Sequence, residues 1–213
     1  RVLTPAQIEK AGMNGVLAVG SGSRVEPRFL VAEYGMTRRD WPLVCLVGKG
    51  VTFDSGGVSI KPWEKMHELK SDMAGAASVV AALSLAAQLE LPVRIVALAP
   101  CVENMPDGAA FRPGDVIKLE IGNTDAEGRL ILADAVAYAR AEYQPSVIVD
   151  MATLTGGVLI ALGTRIAAIM GNSQRDLDDM RVAGEQSGEP VWPLPLDDRF
   201  LADLRVSGGG RAR

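Results

Sequence analysis

The sequence predicts an α/β fold with a mixed, mostly parallel central sheet sandwiched between helices. Two observations carry this. Strand-like runs that are apolar on nearly every residue alternate with helix-like segments, the pattern of a sheet buried on both faces. The acidic and glycine-rich clusters fall where such strands end, which is where open parallel sheets place their functional groups. In chain order, Leu43–Val47 reads as the first buried strand and the Ala-rich segment Gly75–Glu90 as a helix, while Val93–Ala99 is again apolar throughout. A helix is expected over Leu130–Glu142, then strands over Val147–Met151 and Ile166–Met170, and a helix over Gln174–Gln186. Gly20–Glu26 and Met36–Pro42 read as loops. Three joints look abrupt: the start at Arg1, where no N-terminal element is expected, Lys118–Gly122, and the Gly- and Arg-rich Val206–Arg213.

Composition narrows the function classes. The chain has 213 residues with 48% hydrophobic content, enough for a sizeable core in one domain. Apolar stretches such as Ala76–Leu89 are interrupted by Ser78, Ser84 and Gln88, so no membrane span is expected. Arg1–Lys10 lacks the apolar core and cleavage site of a secretion signal, and Cys45 and Cys101 sit in apolar surroundings that suit buried thiols in a reducing, cytoplasmic setting. The net charge is −4 and the basic residues are scattered, so a nucleic-acid footprint is not indicated. With one histidine, His67, any metal site must be built mainly from carboxylates. His67 lies between Lys61 and Asp72 and reads as an exposed or lightly packed imidazole rather than a ligand.

Three clusters carry candidate chemistry. The first follows Leu43–Val47 and contains Lys49, Asp54, the pair Gly56-Gly57 and Lys61; a phosphate loop is excluded because Gly48-Lys49 is followed by Gly50 rather than Ser or Thr. Taken alone it reads first as an ordinary glycine turn with a solvated Asp and Lys. The second is Asp72, which opens the Ala-rich helix; an N-cap explains it adequately unless other acids converge on it, and a carboxylate can also cap loosely while binding metal. The third, Asn123–Leu130, puts Asp125, Glu127 and Arg129 at the start of a helix. If that segment is extended, Asp125 and Glu127 point the same way and can share an ion. An acidic first turn complementing the helix dipole accounts for both acids but not for Arg129.

The octapeptide NTDAEGRL (123–130) resembles the signature of the leucyl aminopeptidase family, the two-metal cytosol type. GKGVTFDSGGVSIK (48–61), KSDMAGAA (70–77), APCVENMPDG (99–108) and MATLTGG (151–157) join it in the family's order, so the resemblance covers Gly12 to Pro195. It implies a zinc-peptidase-like catalytic domain over residues 1–213 that lacks the family's separate N-terminal domain and is incomplete at its C-terminus. It implies two divalent ions, Mn²⁺ or Zn²⁺, held by Lys49, Asp54, Asp72, Asp125 and Glu127, with Asp54 and Glu127 bridging. Lys61 would polarise the scissile carbonyl, and Gly128, Arg129 and Leu130 would hold a bicarbonate that acts as general base. Leu69, Thr153, Leu154 and Gly157 would border the substrate beside Lys61.

The activity so implied is removal of an N-terminal leucine or other apolar residue from peptides, through a hydroxide bridging two metals, by a cytoplasmic homo-hexamer. Cys-Gly dipeptidase action and a DNA-binding regulatory role on the same fold are the alternatives. Loss of catalysis is disfavoured because every ligand position is filled. The Gly114–Ile121 connection is shorter than the family's, which carries a hairpin there.

Overall fold

The computed structural model describes residues 1–117, 121–197 and 199. They form two compact units, Arg1–Thr153 and a second that begins at Leu154. The first holds a six-stranded sheet built from β1 (Val2–Leu3), β2 (Arg28–Tyr34), β3 (Leu43–Gly48), β4 (Gly50–Asp54), β5 (Arg94–Asn104) and β6 (Val147–Met151). The order is β1-β2-β5-β3-β6, and β4 pairs with the distal half of β5. β5, β3, β4 and β6 are mutually parallel, whereas β1 and β2 are antiparallel additions. The mixed, mostly parallel α/β architecture is therefore as the sequence predicts.

β5 is long enough to pair with two consecutive strands. Leu43–Val47 of β3 lies against Arg94–Leu98, and Gly50–Asp54 of β4 lies against Cys101–Asn104. Lys49 is the break between them. Its N–H donates to the Met151 carbonyl of β6 at 2.9 Å, and its carbonyl accepts from Ala76 N at 2.9 Å. The backbone of Lys49 is thus fixed between a strand end and the first turn of a helix.

One face of the sheet is covered by α1 (Pro5–Lys10), α2 (Asn14–Gly20) and α4 (Glu127–Glu142), whose Ile8, Met13, Val16, Val19, Ile131, Leu132 and Ala135 join Phe29, Val31, Cys45, Val47 and Leu98 in the main core. Strand alternation sends Ile95, Ala97 and Ala99 to the opposite face. There α3 (Ala74–Gln88) packs on β3 and β5 through Gly75, Ala76, Val79 and Ala86. These small residues let the helix approach closely. A Cβ on Gly75 would overlap the Met151 carbonyl oxygen and come within 3.0 Å of Lys49 N. Met66–Gln88, the 3₁₀ helix Met66–Ser71 and α3 taken end to end, is long and apolar enough to cross a membrane by length and composition. The sequence reading missed this because it began the stretch at Ala76. Packing against β3 and β5, together with the buried Asp72 within it, makes it the covering helix of a sheet.

The second unit contains α5 (Gly157–Leu162), α6 (Gln174–Ser187) and a two-stranded parallel pair, β7 (Ala167–Ile169) with β8 (Val191–Pro193). The strand expected over Ile166–Met170 thus pairs with β8 and not with the central sheet. Two other expectations need correction. The N-terminus does carry an element, since Val2 and Leu3 pair with Leu30 and Phe29. The segment after Gly48 is strand rather than continuous glycine turn, because Gly50–Asp54 finds free ladder positions on β5. Lys118–Glu120 of the shortened connection, and Val206–Arg213, lie outside the described residues. Both cysteines are free; Cys45 is buried, and burial pushes its thiol up to about 11, as expected of a packed side chain.

Gly75→Ala is expected to destabilise the protein by at least ~1–3 kcal/mol, because the methyl meets backbone that cannot yield. Chemical denaturation reads this directly, and an unchanged midpoint would refute the close approach.

Candidate metal centre

The carboxyl ends of β3, β4 and β6 and the starts of α3 and α4 converge on one cluster. Lys49, at the break between β3 and β4, is almost completely buried, and its Nζ lies 2.8 Å from Asp72 Oδ2 and 2.8 Å from Glu127 Oε1. Lys61 Nζ lies 2.9 Å from Asp54 Oδ2 and also pairs with Asp125 Oδ1. Four carboxylates thus face two ammonium groups, leaving an excess of negative charge. Asp54, Asp72 and Glu127 each offer an oxygen within 4.8 Å of the others, and all three are buried.

The local backbone explains these positions. Asp72 precedes α3 but does not cap it: Met73 is the N-cap, and the Asp72 carboxylate turns to Lys49 and to the Thr153 hydroxyl, which donates at 2.6 Å. The N-cap explanation of Asp72 is therefore wrong. The third cluster is not extended either. Thr124–Ala126 forms a 3₁₀ turn, with Asn123 accepting from Asp125 N at 2.9 Å, and α4 begins at Glu127, three residues before the expected start. As a result Asp125 and Glu127 diverge, Asp125 to Lys61 and Glu127 to Lys49. Arg129 is exposed in the first turn of α4 beside the buried Gly128 and the half-buried Leu130.

Electrostatics follow from this crowding. Burial by itself would lower the Lys49 pKa, but Glu127 and Asp72 outweigh it and hold the ammonium above its ordinary value. Lys61 is likewise raised, as Asp125 and Asp54 overcome its desolvation. Burial pushes Asp72 and Glu127 up, and Lys49 only partly offsets this. Glu127 Oε2 is buried without a hydrogen-bond partner, and Asp72 Oδ2 and Asp125 Oδ1 have their lysines as ion pairs alone. Three buried carboxylates with oxygens within 4.8 Å of one another, one of which keeps an oxygen without a hydrogen-bond partner, suit a hard divalent cation. The residues present therefore fit divalent metal binding.

Of the other expected residues, Thr153 joins the cluster: its carbonyl accepts from Lys49 Nζ at 3.2 Å. Leu69 is half-buried in the 3₁₀ helix before Asp72, and His67 beside it is exposed, as expected. Leu154 and Gly157 belong to the second unit, where Gly157 N donates to Thr155 Oγ1 at 3.2 Å. Sequence reasoning missed Asn104 and Thr124, both fully buried beside Asp54. The available signal was a polar amide closing a strand that is apolar from Ile95 to Val102.

Lys49→Met is expected to cost about 3–5 kcal/mol in chelator-treated protein, since Asp72 and Glu127 lose their buried counter-charge. Carboxylates whose folded pKa is raised lose stability as pH rises above their unfolded value, so the deficit should grow from about pH 4 upward. Denaturation midpoints across pH test this; a deficit that is absent or independent of pH would argue against it.

The family model of the cytosol aminopeptidase family, catalytic domain, matches residues 1–208. A probable cytosol aminopeptidase of Chlorobaculum tepidum is 48% identical over 98% of this chain and 44% of its own length. That of Chlorobium limicola is 52% identical over 91% of this chain and 40% of its own. The solved structure of the bottromycin maturation enzyme BotP in complex with Mn superposes with a TM-score of 0.91 at 41% identity, covering 97% of this chain and 47% of that one. The chain thus spans about half the length of the relatives it matches. Fold, buried acidic cluster and sequence agree: this chain belongs to the cytosol aminopeptidase family, as its catalytic domain.

Proposed function

We propose that this domain serves a metal-dependent aminopeptidase that removes the N-terminal residue, with preference for leucine or another apolar side chain, from peptides. The observation that carries the reading is the buried set Lys49, Asp54, Asp72 and Glu127, flanked by Asp125 and Lys61. In this reading two divalent ions are held by Lys49, Asp54, Asp72, Asp125 and Glu127, with Asp54 and Glu127 shared. The Mn held by the solved BotP structure favours manganese, with zinc the other candidate. Such ions supply Lewis acidity that activates water and polarises a carbonyl.

The chain's own groups do the rest. Lys49 must surrender its proton to ligate through Nζ, and a neighbouring dication favours that neutral form. Lys61 is less buried than Lys49 and keeps its ammonium at the rim, where Nζ can donate to the oxyanion that develops on the attacked carbonyl. Arg129 and the backbone N–H groups around Gly128 and Leu130 open the 16-residue helix α4, a favourable place for an anion. They would anchor a bicarbonate as general base, in a site whose neighbourhood offers no catalytic histidine. Leu69 and Thr153 are proposed to border the first substrate residue. Assembly as a homo-hexamer and a cytoplasmic location belong to the same proposal.

The test is hydrolysis of a leucine anilide by the full chain, stripped of metal and then titrated with Mn²⁺ or Zn²⁺, beside an N-acetylated control. Turnover should rise towards two ions per subunit and be absent on the blocked substrate. Glu127→Ala should reduce turnover to background and abolish tight metal binding. Normal metal stoichiometry in that variant would contradict the ligand assignment, and turnover of the blocked substrate would contradict the exopeptidase reading.

A further inference from the structure

Asn104 closes β5 and is fully buried. Its Nδ2 donates to Asp54 Oδ1 at 2.9 Å and to the Thr124 carbonyl at 3.0 Å. Both partners only accept here, so the amide's orientation is fixed; turned over, it would set its oxygen against two oxygens. Asn104 Oδ1 is then left without a hydrogen-bond partner and faces Gly57. A Cβ at Gly57 would lie 2.6 Å from that oxygen, and φ there is +65°, so glycine is required on both counts. The backbone carbonyl of Asn104 also accepts from Ser55, at 3.0 Å from its N–H and at 2.7 Å from its hydroxyl.

These bonds do two things. Asp54 Oδ1 receives a second donor, Gly56 N at 3.0 Å, so one oxygen of the carboxylate is pinned and Oδ2 is turned to the cluster where Lys61 lies. The grip on the Thr124 carbonyl ties the end of β5, and through Asp54 the end of β4, to the turn that delivers Asp125 and Glu127. Thr124 Oγ1 strengthens the same seam by donating to the Gly56 carbonyl at 2.7 Å and accepting from Ser59 N at 2.8 Å.

We propose that Asn104 is a positioning residue for the metal centre: it fixes the rotation of the Asp54 carboxylate and sets the distance between the Asp54 and Asp125–Glu127 segments. The proposal rests on the divalent-cation reading above. Neighbours that orient a ligand typically change metal affinity by about 10–100-fold when removed. A neutral amide does this without adding charge to a site already rich in carboxylates.

The experiment measures Mn²⁺ affinity by calorimetry, and the visible spectrum with Co²⁺ in its place, on the full chain after chelation. Wild type is compared with Asn104→Ala, Asn104→Asp and Ser55→Ala. Asn104→Asp keeps the shape but replaces the donor facing Asp54 with an oxygen, and so covers the case in which the alanine variant fails to fold. Ser55→Ala removes the hydroxyl that donates to the Asn104 backbone carbonyl and accepts from Gly57 N, and leaves the amide on Asp54 intact, so it reports general loosening. Both Asn104 variants should bind Mn²⁺ 10–100-fold more weakly and shift the Co²⁺ spectrum, whereas Ser55→Ala keeps wild-type affinity and spectrum. Wild-type affinity and spectrum in a folded Asn104 variant, or an equal loss in Ser55→Ala, would overturn the positioning role. Absence of divalent-ion binding by the wild type would overturn the cation reading itself, and the proposal with it.

Discussion

The rest of the site depends on an ammonium group buried between two carboxylates. Lys49 cannot be withdrawn from water unless Asp72 and Glu127 accompany it, and each of those charges carries its own desolvation penalty of several kcal/mol. The three are almost completely excluded from solvent, and Glu127 keeps an oxygen with no partner. An apolar trio of similar volume would stabilise the fold better. A cluster that is this costly and still incompletely satisfied reads as a site maintained for what it binds.

The backbone supplies the means. β3 runs between β5 and β6 and pairs with both as far as Val47 and Gly48, and β4 resumes on β5 after a single residue. That one-residue break is where Lys49 sits, with its N–H on Met151 and its carbonyl on Ala76. The chain continues from Met151 to Thr153, whose carbonyl reaches Lys49 Nζ and whose hydroxyl reaches Asp72. Thus the sheet ladder, the first turn of α3 and the exit of β6 hold a single lysine from three directions. The arrangement follows the general rule that open parallel sheets gather function at their carboxyl ends.

Much of this was legible in the sequence, for reasons that differ by element. Leu43–Val47 was readable because it is apolar at every position, as in a strand covered on both faces, and Val147–Met151 because it is apolar at all but Asp150 although only half-buried. β2 was not, since Arg28–Tyr34 is an antiparallel strand carrying Arg28 and Glu33, and β4 was hidden by its glycine, threonine and aspartate. α4 starts earlier than its apolar periodicity because its first turn, Glu127 to Arg129, is charged residues and glycine, with Glu127 turned to Lys49. The acids and lysines of the cluster could be named from their motifs, but their pairing could not. Which carboxylate meets Lys49 and which meets Lys61 is decided by the 3₁₀ turn at Thr124–Ala126, and no periodicity encodes that turn. Asn104 is the same case in a neutral residue: its importance lies in what its amide touches.

The two lysines divide the site by depth. The Lys49 side chain is 3% exposed and the Lys61 side chain 24%, and their partners follow, with Glu127 at 2% and Asp125 at 33%. A charge as deep as Lys49 can meet only groups brought by the fold itself, which suits a ligand or counter-charge. One that keeps a route to solvent, as Lys61 does, can also meet an incoming carbonyl. Asp54 spans the two levels: its buried carboxylate offers Oδ2 to Lys61, while Oδ1 is taken up by Asn104 and Gly56. The inner level therefore fixes the charges, the outer level can meet substrate, and the carboxylate that joins them is held by neutral donors on its far side.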